Sequence, residues 1–77
     1  HEVDCLLETA GKLTPIEIKI SKTASVDFFK GLQYWSNLAG IPAQQTYLLY
    51  GGDDSFPLSQ GNLMSWRKVS DLPNKII

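Results

Sequence analysis

Apolar residues at the start of the chain recur at every second position, and a glycine-containing turn interrupts the alternation. Val3, Cys5 and Leu7 alternate with Glu2, Asp4, Leu6 and Glu8; after the turn, Ile16, Ile18 and Ile20 alternate with Pro15, Glu17 and Lys19. A period of two places successive side chains on opposite faces of a strand. The pattern predicts strands over residues 2–8 and 13–20, joined as a β-hairpin through Thr9-Ala10-Gly11-Lys12. With a two-residue or a four-residue turn, the numbers of facing residues sum to 21, so Asp4 faces Glu17 and Glu2 faces Lys19. A slip of one residue would put these charges among the isoleucines, which burial opposes. Pro15 has no amide donor, and a gap in the ladder is expected near the start of the second strand.

From Ser25 the period changes. Phe28, Leu32, Trp35 and Ala39, with Phe29 and Leu38 beside them, follow helical spacing, while Lys30, Gln33 and Asn37 lie mostly off the stripe. Residues 25–39 are expected to form an amphipathic helix, capped by Ser25 or Thr23 and stopped by Gly40 and Pro42. Phe28, Leu32 and Trp35 are expected to cover the sheet face that carries Ile16, Ile18 and Ile20. Residues 45–50 read as a third strand, which a right-handed crossover would make parallel to the second. Asn62–Ser65 reads as a further short strand, and residues 66–72 as one or two helical turns. The fold class is therefore α/β: a mixed sheet with a β-hairpin, a crossover helix and a parallel strand.

Seventy-seven residues hold one domain at most. The chain opens without methionine and already in strand alternation, and residues 1–77 are expected to be a single partial domain, the C-terminal fragment of a longer protein. With 43% hydrophobic and 19% charged residues, the composition is that of a globular domain. No apolar run approaches the roughly 20 residues that cross a bilayer, and no signal-peptide pattern appears, so a cytoplasmic location is expected. Cys5 is the one cysteine and His1 the one histidine, which excludes an internal disulfide and a cysteine-based zinc site. Cys5 shares the apolar face of its strand, and core packing is its expected role. A net charge of −1 gives no bulk attraction to a polyanion, so contact with DNA would rest on local groups. Lys22 and Lys30 are the candidates for phosphate contact, Tyr34 and Trp66 for base stacking. Asp53-Asp54-Ser55 lacks the ligand spacing of a calcium loop and reads as a solvated turn.

Glu17 and Lys19, two apart on one strand, leave the same face of the sheet. With Asp4 and Glu2 opposite them, three carboxylates and one lysine cluster on that face. Facing carboxylates repel unless a cation lies between them, and a hard divalent ion such as Mg²⁺ suits oxygen donors of this kind. A lysine beside the ion can orient an attacking water and balance charge on a phosphorus centre. The competing reading is a polar, solvated sheet face, since E-x-K is a common pattern.

The run Glu2-Val3-Asp4-Cys5-Leu6-Leu7-Glu8, a glycine turn, and Pro15-Ile16-Glu17-Ile18-Lys19 followed by Ser21-Lys22 resembles the D…E-x-K core of the PD-(D/E)XK, or restriction-endonuclease-like, nuclease superfamily. Within it the chain is most similar to the C-terminal domain of unknown function of prokaryotic AAA-type ATPases, a likeness that extends through Asp27-Phe28-Phe29-Lys30-Gly31-Leu32 and Tyr50-Gly51-Gly52 to Trp66. The resemblance implies a restriction-endonuclease-like core lacking its N-terminal helix and strand. It implies metal ligands at Asp4 and Glu17, a catalytic lysine at Lys19, and weaker auxiliary roles for Glu2 and Gln33. The implied partner is an N-terminal ATPase module of the same protein, with DNA and a further copy as additional partners. Gly51-Gly52 lacks the context of a phosphate-binding loop, so no ATP site is expected here. Two functions follow. One is an accessory or regulatory module that keeps the nuclease-like fold with a Mg²⁺-type site; the other is an active metal-dependent nuclease.

Overall fold

The computed structural model describes residues 5–9 and 11–72. The expectations for Glu2, Val3 and Asp4, and for the side chains of Cys5 and Leu7, lie outside what is described.

The period-two segments form the hairpin. Strand β1 (Cys5–Thr9) runs antiparallel to β2 (Lys12–Lys19), with Cys5 facing Ile16, Leu7 facing Thr14 and Thr9 facing Lys12. Each pair sums to 21, the expected register. Pro15 lies one residue before the ladder between β2 and its other neighbour begins, where β2 is flanked on one side only. The missing amide is thus tolerated inside an eight-residue strand.

The helical segment begins as a 3-10 turn, Val26–Phe29, and continues as α1 (Lys30–Ala39). Ser25 accepts a hydrogen bond from the Asp27 amide at 3.3 Å, which satisfies a donor that the first turn leaves free. Gly40 ends the helix at φ 71°, a left-handed conformation that glycine adopts without a Cβ penalty. A second 3-10 turn, Ala43–Gln45, leads into β3 (Tyr47–Tyr50), which pairs parallel to β2 with Ile16 beside Tyr47 and Lys19 beside Tyr50.

The last third adds a hairpin. Strand β4 (Phe56–Leu58) is antiparallel to β5 (Gly61–Ser65), and β5 pairs parallel to β3. The sheet is mixed, with order β1-β2-β3-β5-β4. Strand β4 was not expected from the sequence: it has three residues, Pro57 at its centre and a largely exposed surface, so it carries no alternation to read. Its edge position is where a strand proline is accommodated. A 3-10 segment, Trp66–Asp71, follows β5, where one or two helical turns were expected.

The side of the sheet on which α1 lies differs from the expectation. One cluster joins Phe29 and Leu32 to Leu48, Tyr50 and Leu63, with Phe28 and Leu58 packed against it. The other joins Ile16 to Tyr47, Leu49, Met64 and Leu72. Neighbouring residues across a ladder share a face, so Glu17 and Lys19 lie on the face of Leu48 and Tyr50, beneath the helix. The face of Ile16 and Ile18 is the opposite one. Trp35 is half-buried, whereas Phe29, Leu32 and Ser36 are the buried residues of the helical segment. Strand periodicity groups residues by face but does not say which face receives the crossover. Here Leu48, Tyr50 and Leu63 supply the apolar seat.

Candidate functional site

Burial of Glu17 follows from this arrangement. It sits in the centre of the parallel ladder with Leu48 beside it, and only 8% of it is exposed. A buried carboxylate keeps its charge only with partners that replace water. One partner is two residues along: the Lys19 Nζ lies 3.8 Å from the Glu17 Oε1, with 40% of the lysine side chain exposed. The same ammonium sits 5.5 Å from the centroid of the Phe28 ring, within range of a cation–π contact. Strand β2 thus supplies a carboxylate and an amine on one face, and the 3-10 turn before α1 lays an aromatic ring over the amine.

The expected site residues divide accordingly. Glu17 and Lys19 are brought together; Asp4 and Glu2 lie outside the described residues, and the described ladder carries the register that motivated their placement. Gln33 is exposed, on the flank of α1 beside the buried Leu32, and its backbone carbonyl accepts a hydrogen bond from the Ser36 hydroxyl at 3.3 Å. Among the described residues no group of three His, Cys, Asp or Glu is placed to hold a metal ion. Carboxylate oxygens of the kind expected at Asp4 and Glu17 suit a hard cation chemically, and of the two Glu17 is the one described, on a sheet face rather than in bulk water. Phe28 was read from the sequence only as a core residue. Its signal was present as an aromatic in the first turn of the crossover, but nothing in the spacing pairs it with a lysine nine positions earlier.

The Tyr50-Gly51-Gly52 run has a structural explanation. The Gly51 amide donates to the Ser21 carbonyl at 2.8 Å, and a Cβ on Gly52 would meet the Lys22 carbonyl oxygen at 2.6 Å. Two glycines therefore let the end of β3 press against the segment that follows Lys19. The Tyr50 hydroxyl accepts from the Asp54 amide at 3.0 Å, and the Ser65 hydroxyl donates to the Gly52 carbonyl at 2.6 Å, which fixes the turn from both sides. Arg67 is paired with Asp53 at 2.8 Å and lies 5.1 Å from the Trp66 ring. Trp66 and Tyr34 are exposed, as their suggested surface roles require.

Residues 1–69 match the family described as Domain of unknown function (DUF4143). The chain belongs to that family. No curated protein and no solved structure matches it. The DUF4143 match takes in the hairpin, the crossover helix, the parallel strands and the first part of the terminal 3-10 segment. No described helix is long and apolar enough to cross a membrane.

Proposed function

We propose that this DUF4143 chain is an accessory module with a PD-(D/E)XK-like fold that works alongside an ATPase module of the AAA type. The observation that carries the proposal is the buried Glu17 carboxylate beside Lys19 on the second strand of a hairpin, with the crossover helix leading to a parallel third strand. That is the arrangement the sequence resemblance implies. The accessory role is supported by the state of the pair. Lys19 is held between Glu17 and Phe28, α1 covers the face, and the net charge of −1 offers no general attraction to nucleic acid.

A second reading, an active Mg²⁺-dependent phosphodiesterase, draws on one observation: Cys5 faces Ile16 and every described pair of the hairpin sums to 21, the register from which a pairing of Asp4 with Glu17 is expected. In that reading Asp4 and Glu17 hold the ion, Lys19 orients the attacking water, and Glu2 and Gln33 assist. The ion would supply Lewis acidity and charge stabilisation at phosphorus.

Calorimetric titration of the intact protein with Mg²⁺ and Mn²⁺, paired with cleavage assays on single-stranded, duplex and branched DNA, separates the two. The accessory reading expects no metal-binding heat, no cleavage, and ATP turnover of the intact protein nearly unchanged in Asp4→Ala, Glu17→Ala and Lys19→Ala. Metal-dependent cleavage lost in Asp4→Ala and Glu17→Ala, with metal binding retained but turnover lost in Lys19→Ala, would establish the nuclease instead.

A further inference from the structure

The face of the sheet opposite α1 is only partly covered. Among the described residues, its cover consists of the 3-10 segment Trp66–Asp71 and Leu72, packed over Ile16, Tyr47, Leu49 and Met64. Beyond that cover lies an open cleft of about 490 Å³, whose apolar lining includes Ile18, Ile20, Leu49, Trp66 and Val69. Ile18 is 51% exposed and Ile20 95%, with Trp66 and Val69 each about half exposed. Four large apolar side chains, each about half exposed or more, thus border one cleft. Among the described residues, the two charged ones lining the cleft, Lys19 and Lys22, are both basic. Lys19 leans to the far face toward Glu17, so Lys22, which is exposed, sets the charge of the rim.

We infer that this cleft is a docking site for an amphipathic α-helix whose apolar stripe is flanked by carboxylates. Two arguments fix the occupant. Parallel strands such as β2, β3 and β5 are normally buried on both faces, with helices as the covering layer, and among the described residues an α-helix covers one face alone. The rim is basic, so a helix with acidic flanks is favoured over a basic one and over an apolar segment without charge. Leu and Ile side chains at helical spacing would fill the channel between Ile20 and Val69, with Trp66 as a broad aromatic wall. The inference does not draw on the role proposed for Glu17 and Lys19, although Lys19 also lines the cleft.

The test uses the 77-residue chain and stapled helical peptides, in which the conformation is already set. One carries a leucine stripe flanked by glutamates, its twin carries lysines at the same positions, and a third has the order scrambled. Binding is followed by tryptophan emission and by amide resonances. The acidic peptide is expected to move the resonances of Ile18, Ile20 and Val69 and shift emission to the blue. The basic twin should bind about fivefold more weakly, and Lys22→Glu should reverse that preference. Ile20→Asp, at a position with no burial to lose, should abolish binding; Val69→Asp serves if circular dichroism shows that variant unfolded. Equal affinity for both charged peptides, resonance shifts confined to α1, or binding unaffected by either aspartate would overturn the inference. So would sedimentation showing a dimer that Ile20→Asp dissociates, which assigns the cleft to a second copy. Tighter binding of oligothymidine than of the acidic peptide would assign it to nucleic acid and overturn it equally.

Discussion

The Lys19 ammonium lies between a buried carboxylate and an aromatic face, and these two contacts differ in kind. The Glu17 contact at 3.8 Å is an ion pair with a partner the fold has already desolvated, while Phe28 contributes through its ring quadrupole at 5.5 Å. Because two-fifths of the lysine side chain is exposed, solvent screens the pair and its net worth is modest, on the order of 0.5–1 kcal/mol. Its importance is positional, since it keeps the amine on the helix-covered face. Phe28→Leu preserves apolar bulk and removes the quadrupole. The expected result is a loss of the upfield ring-current shift on the Lys19 ε-protons, with a stability change of about 0.5–1 kcal/mol. Phe28→Tyr should restore the shift. Proton spectra in which Lys19 is unmoved by Phe28→Leu would show that the ring does not hold the amine.

At the scale of elements, α1 is seated by a few residues rather than by its whole apolar stripe. Phe29 is 1% exposed and Leu32 0%, whereas Trp35, on the same predicted stripe, is half-buried at the edge of the contact. Leu32→Ala would empty a site enclosed by Leu48 and Leu63 and is expected to cost about 2–5 kcal/mol. Trp35→Ala should cost clearly less, because part of its surface is already in water. Chemical denaturation of both variants checks the ordering, and a larger loss for Trp35→Ala would mean that the helix is rotated about its axis. The stripe itself was legible, as were the Ser25 cap and the Gly40 stop, because each depends on neighbours within a turn or two. Which part of the stripe meets the sheet was not, because it depends on residues in β3 and β5 that lie far along the chain.

For the whole molecule, the sheet divides two thin cores, and Tyr47 gives the one without the α-helix a contribution to stability that depends on alkaline pH. Tyr47 lies buried there with Ile16, Leu49, Met64 and Leu72, and burial raises its pKa above the ordinary 10.0 by penalising the phenolate. The folded chain therefore holds the proton at pH values where the unfolded chain releases it. Stability is undiminished below about pH 10 and falls as pH rises through the folded-state value. Tyr47→Phe should flatten that alkaline decline in denaturation midpoints measured at about pH 8 and pH 11; a decline of unchanged slope would place its origin elsewhere. The sequence by itself determined the hairpin with its register, the crossover helix, the parallel strand, and the shared face of Glu17 and Lys19. These follow from periodicity, turn chemistry and handedness, all local or nearly local. Only the tertiary structure decided that α1 covers the Glu17 face, that Phe28 meets Lys19, that Phe56–Leu58 closes the sheet edge, and that Ile18 and Ile20 remain open. Alternation sorts side chains into two faces, but the two become inside and outside only when elements distant in sequence choose a side to bury.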